Sequence, residues 1–238
     1  VLDLNWLDLP LLDLRGYGGQ LLEGLRLTVL AAVATLPLAM TIGLAGALAL
    51  RSARPWLIGV IRLYTRVIRG VPELVILLLL YFGGTMLVQA IAERVFSYDE
   101  YLEIDALTAG IAALTAVHGA YCIEVFRGAL GAIPTGQGEA ARSLGLSGLQ
   151  SFRLVVLPQL WRHALPGLGN VWLVLIKDTA IVSVVGLDDM MRRAYIAAGA
   201  TRQPFTFFVA AALFYLALTL VSTLAIRRLE RRARRGLA

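Results

Sequence analysis

An all-α membrane protein is predicted by three observations: the apolar content, its division into five long blocks, and the placement of the arginines. Hydrophobic residues fill 58% of the 238 positions and charged residues only 16%, against about 25% charged in soluble domains. Mean hydropathy is +0.75. A soluble chain this apolar could not cover its surface with polar groups. Separate blocks of about 20 apolar residues are what a bilayer core demands. Residues 1–238 therefore read as one transmembrane domain.

The expected spans cover roughly 21–50, 73–92, 106–127, 165–187 and 205–226. In the first, Ala31, Ala32, Ala34, Gly43, Ala45, Gly46 and Ala47 permit close helix approach, and Pro37 is expected to bend it. Arg51, Arg54, Arg62, Arg66 and Arg69 are spread over a moderately apolar stretch, Trp56–Ile68, which reads as the basic end of a helix hairpin. Residues 93–105 are polar and acidic, with Asp99, Glu100, Glu103 and Asp105. A long linking segment occupies 128–164, and six of the twelve residues from Arg227 to Ala238 are arginines. Val1–Leu14 carries Asp3, Asp8 and Asp13 and no basic start, so it does not read as a signal peptide; the first span is expected to direct its own insertion. There is no internal repeat.

Orientation follows from the arginines. Of 22 basic residues only Lys177 is a lysine. A periplasmic N-terminus and cytoplasmic C-terminus gather most arginines, at 51–69, 127–162 and 227–235, on the cytoplasmic side, as the positive-inside rule requires. Arg192 and Arg193 run against it, partly offset by Asp188 and Asp189. This pattern argues against nucleic acid as the target of the net charge of +6. The single cysteine, Cys122, excludes an intrachain disulfide.

The linking segment holds the most informative sequence. Gly136–Gly145 contains good helix formers from Glu139 to Leu144, and Gly145 can take the left-handed conformation that ends a helix. Ser147 can cap a second short helix, expected to stop at Pro158, with Leu146, Leu149, Phe152 and Val155 or Val156 as its apolar face. Two short helices meeting at a glycine elbow make a knob suited to a partner's groove. The bland reading is a structural hairpin.

The pattern Glu139-Ala140-Ala141, three residues, Gly145, then Val155, Leu157 and Pro158 resembles the EAA loop of type I ABC importer permeases. Arg69-Gly70-Val71-Pro72, Tyr121 with Glu124, Arg127-Gly128, Leu165-Pro166 and Lys177-Asp178-Thr179 resemble the polar amino acid uptake branch. Glu73 and Val185–Asp189 resemble its Q-type permeases for histidine, lysine, arginine, ornithine and opines. The resemblance implies a multi-pass subunit of a bacterial inner membrane. Glu139, Ala140, Ala141, Gly145, Leu146, Leu157 and Pro158 would then couple to an ABC ATPase dimer. It further implies a second, M-type permease forming a heterodimer, a periplasmic amino acid binding protein, and transport of polar, basic amino acids or opines. This chain has no phosphate-binding Gly-x-x-x-x-Gly-Lys-Ser/Thr loop, so no cofactor is expected on it. ATP and Mg would sit on the ATPase partner.

Five ionisable residues are candidates for the translocation path or gate. Lys177 and Asp178 lie inside an apolar block, where charges are costly and face cavities or partners; Asp178 could contact a cationic substrate, or the two could be structural. Glu124 and Arg127, three apart, favour a bracing pair. Glu73 opens a span, where helix capping is favoured over a gate. His118 is a buried or cavity-facing polar group, since Tyr121 and Cys122 do not complete a metal set. A secondary transporter or channel without an ATPase is the alternative, although the repeats and paired broken helices common in such folds are missing. No constellation for an intramembrane enzyme stands out.

Overall fold

The computed structural model describes residues 14–96, 102 and 104–234. The acidic residues Asp3, Asp8, Asp13, Asp99, Glu100 and Glu103 lie outside the described residues. The fold is a helical bundle: α1 (Gly18–Ala49), α2 (Pro55–Gly70), α3 (Glu73–Phe96), α4 (Ala106–Gly131), α5 (Thr135–Ser143), α6 (Gly148–Ser151), α7 (Leu157–Asp178), α8 (Met190–Thr201) and α9 (Pro204–Arg234). A π-helical stretch, Phe152–Val156, joins α6 to α7, and a 3₁₀ stretch, Thr179–Val185, continues α7. Among the described residues, five segments are long and apolar enough to cross a membrane: Gly18–Ala49, Glu73–Val95, Ala106–Gly131, Gly148–Val185 and Pro204–Ala233.

Helix α4 is the central post, packed on α1 and carrying buried residues along its whole length. The α1–α4 contact is close because both helices present small side chains. A Cβ on Gly43 would stand 2.3 Å from the Cys122 Cβ, and one on Gly46 would meet the Ile123 side chain at 2.6 Å. Ala31, Ala32, Gly43, Gly46 and Ala47 are buried, as the small-residue pattern predicts, whereas Ala45 faces outward. At the opposite end, Gly24 of α1 lies against the backbone of Asp189 and Met190, and the Met190 N–H donates to Thr28 Oγ1 at 3.3 Å. Asp189 caps α8 through the Arg192 N–H at 2.9 Å. Its carboxyl is fully buried with Oδ2 unpartnered, and burial pushes its pKa up to about 6.

Three segments differ from their expected bounds. The arginine-bearing stretch after α1 is a regular amphipathic helix, α2, with Trp56, Val60, Leu63 and Val67 exposed on one side. The linking segment expected at 128–164 is shorter, because α4 runs to Gly131 and α7 begins at Leu157. Pro158 opens α7 rather than closing α6: as its second residue it needs no intrahelical N–H bond. The adjacent backbone widens to a π turn, with the Leu157 N–H reaching the Phe152 carbonyl.

Candidate functional site: a mid-membrane acidic cluster and a glycine elbow

Helix α2 runs up beside α4, where the Tyr64 hydroxyl donates to the Ala116 carbonyl. Arg51, just past α1, donates to the Leu130 carbonyl at 3.1 Å and fixes that end of the bundle. Helix α3 therefore starts beside the middle of α4 rather than at its end. Glu73, its first residue, accepts a hydrogen bond from Tyr121 of α4 at 3.3 Å. At 1.5 Å per residue, Tyr121 lies about 14 Å along α4 from Leu130. Glu73 is thus deeper than its place at the start of a span implied.

Around that point four helices converge. His118 is fully buried, with Nδ1 3.1 Å from the Leu114 carbonyl. Its Nε2 stands 3.2 Å from Asp178 Oδ2 at the end of α7. This is an ion-pair approach without hydrogen-bond alignment, since both atoms are buried and lack a hydrogen-bond partner. With Nδ1–H committed to Leu114, a proton must sit on Nε2 or on the carboxyl for the two to attract. The Glu73 carboxyl lies close enough to Asp178 for the two like charges to act on each other. The Arg69 guanidinium sits 5.7 Å from the centroid of the Tyr121 ring, a cation–π distance. Two carboxylates, an imidazole, a phenol and a guanidinium thus share one mid-membrane cluster.

Of the five ionisable candidates, the structure brings Glu73, His118 and Asp178 together. Lys177 points elsewhere, because successive helical residues diverge by about 100°. It is exposed in a groove of about 470 Å³ with Ala180, Met191, Phe208, Ala211, Ala212 and Tyr215, and has no ion pair among the described residues. Glu124 is held by Arg127, Oε2 to Nη2 at 2.6 Å, and borders a different cavity. Tyr121, noted in the sequence beside His118, and Arg69, noted among the arginines after the first span, complete the cluster.

The elbow beyond α4 is built from local bonds. Gly145 has φ +82°. The Leu146 N–H reaches the Ala141 carbonyl at 3.1 Å and the Gly145 N–H reaches Arg142 at 2.9 Å, the two bonds of a Schellman motif. Ser147 and Gln150 form a reciprocal capping box at α6. Ala141 is buried, Leu146 and Leu157 are partly buried, and Glu139, Ala140 and Pro158 are exposed. Leu144, Leu149 and Leu154 project outward, with exposures of 83%, 77% and 62%. The elbow thus holds three leucines exposed on a locally hydrogen-bonded turn.

A five-span helical protein with a polar centre and a leucine-exposing elbow at one end has the design of a transporter's membrane subunit. Residues 25–235 match the family described as binding-protein-dependent transport system inner membrane component, and the chain belongs to that family. It is 41% identical to the nopaline transport system permease protein NocQ of Agrobacterium fabrum, over 97% of this chain and 98% of that one. It is 40% identical to the histidine/lysine/arginine/ornithine transport system permease protein HisQ of Salmonella typhimurium, over 92% and 95%. Among solved structures it resembles an amino acid ABC transporter with histidines, at 35% identity and TM-score 0.76, over 91% of this chain and 95% of that one. The chain is a membrane-embedded permease subunit of an ABC importer and resides in the inner membrane. Membership implies an ATPase and a binding protein as partners.

Proposed function

We propose that the chain forms half of the translocation pathway for polar, basic amino acids or their opine derivatives. The observation that carries this reading is the juxtaposition of Glu73 and Asp178 beside Tyr121 at mid-membrane depth. Two carboxylates there would be costly. A guanidinium or ammonium passing between them offsets that cost with charge-assisted hydrogen bonds. The crevice beside Glu73, lined by Leu77, Ala113, Leu114, Val117 and Ile181, has a volume of about 10 Å³, room for about one water. A second, M-type permease then completes the path, consistent with HisQ and NocQ being subunits of larger systems.

The elbow docks on the ATPase through Leu144, Leu149 and the Glu139–Ala141 turn. Closure of that ATPase around ATP and Mg, neither held by this chain, is transmitted to α4 and α7. The N-terminus is periplasmic, where the substrate-loaded binding protein docks, and the elbow and C-terminal arginines are cytoplasmic, as charge placement favours. The chain itself does no bond chemistry. The test is uptake into proteoliposomes holding the assembled transporter. Asp178→Asn should depress arginine uptake far more than uptake of a neutral amino acid. Equal depression of both would leave Asp178 a structural group and sink the cationic reading.

A further inference from the structure

The acidic cluster has a basic counterpart directly beside it. A cavity of about 620 Å³ lies between α2 and the ends of α1 and α4, lined by Arg51, Arg62, Arg66, Arg69, Arg127 and Glu124. This volume falls within the roughly 300–1,000 Å³ of small-molecule sites, while the crevice on the other side of Glu73 does not. Five arginines and one glutamate line it, and that glutamate is already paired with Arg127. Arg51 is spent on the Leu130 carbonyl. Arg62 and Arg66 have no ion pair or side-chain hydrogen bond among the described residues. Arg69 belongs to both places, lining the cavity and lying over Tyr121. On α4, Tyr121, Glu124 and Arg127 recur every three residues, so one helix face carries cluster and cavity in succession.

Arginine cannot shed its charge, and its planar fork matches a carboxylate in a two-bond geometry. Arg62, Arg66 and Arg69 are exposed, so solvent screens their like charges, and a carboxylate entering there gains charge-assisted hydrogen bonds from guanidiniums that have no ion pair. We propose that this cavity is the carboxylate subsite of the transported molecule, with Arg62 and Arg66 conferring preference for basic amino acids that carry an additional carboxylate. The inference rests on the cationic reading of Glu73 and Asp178: the cationic end is held at the cluster, and the carboxylates reach past Arg69 into the cavity.

Direct binding to the assembled transporter in lipid nanodiscs, without binding protein, isolates the membrane site. Three probes share a guanidinium and differ in carboxylates: agmatine has none, L-arginine one, and octopine two. Affinity should rise in that order. Arg62→Gln/Arg66→Gln should weaken octopine about tenfold, the loss of roughly one charge-assisted bond, and leave agmatine unchanged. Arg62→Lys/Arg66→Lys, which keeps the charge, should recover part of the loss, separating recognition from misfolding. Octopine binding no tighter than arginine, or equal weakening of all three probes by the glutamine pair, would overturn the proposal. Asp178→Asn reads the underlying assumption separately. Unchanged agmatine binding in that variant defeats the cationic site, whereas carboxylate discrimination lost only in the arginine variants speaks to the cavity alone. Absence of binding by every probe to the wild-type transporter defeats both.

Discussion

The imidazole of His118, enclosed within α4, faces the Asp178 carboxylate of α7 across 3.2 Å. The pair joins two helices through a fully buried imidazole and a mostly enclosed carboxylate. Removing the imidazole leaves a mostly enclosed carboxylate beside Glu73, a like charge. His118→Leu should therefore destabilise the chain by about 1–3 kcal/mol, below the cost of breaking a fully buried pair because Asp178 keeps some exposure. His118→Gln, which can still donate a hydrogen bond, should lose less. Thermal unfolding in detergent reads both, and a leucine variant as stable as wild type would show that the contact does not brace the bundle.

How far these features could be read in the sequence depended on how local they are. The elbow was legible because its determinants lie within six residues: Gly145 at positive φ, then Ser147 and Gln150 reciprocally capping α6. The cluster was only partly legible. Glu73, His118 and Asp178 each drew notice as ionisable groups in apolar surroundings, but their convergence depends on α2 lifting the start of α3 to mid-membrane depth. That lift was hidden, since arginines at 62, 66 and 69 mask an amphipathic helix when hydropathy is averaged along the chain. Lys177 and Asp178, adjacent in sequence, invited treatment as a pair, yet helical geometry sends them to different cavities. Pro158 was misplaced as a stop signal because a proline near a helix start and one near a helix end look alike without the backbone.

Gly145 gives the sharpest local test. At φ +82° nothing lies within 4 Å of the position a Cβ would take, so the penalty for a larger residue comes from backbone conformation, not crowding. Gly145→Val should cost about 1–2 kcal/mol locally and distort the turn that presents Leu144 and Leu149. Membrane insertion should be normal while co-purification of the ATPase falls. Full ATPase recovery with normal transport would count against the elbow as the docking element.

The α1–α4 contact predicts a contrast between glycines. Gly43→Ala places a methyl at 2.3 Å from the Cys122 Cβ, which forces the two central helices apart. Overpacking of this kind costs about 1–3 kcal/mol. Gly128→Ala, on α4 itself, meets nothing within 4 Å, and should be neutral or stabilising by up to about 1 kcal/mol, the helix-propensity difference. Unfolding midpoints that move together for the two variants would refute close packing at Gly43.

Asp189 makes stability pH-dependent in a direction opposite to that of a paired carboxylate. Its folded pKa is raised by burial from 3.8 to about 6, so between those values the folded state holds a proton that the unfolded chain has released. The group's contribution to stability is therefore greatest below about pH 4 and is lost as pH rises through 6. A shift of about 2 units corresponds to at most about 3 kcal/mol. Asp189→Asn keeps a capping oxygen for the Arg192 N–H but cannot ionise. Thermal midpoints at pH 5 and pH 8 should therefore diverge in wild type and converge in this variant. A wild-type midpoint equal at both pH values, or a pH difference that survives in Asp189→Asn, would place the titrating group elsewhere in the bundle.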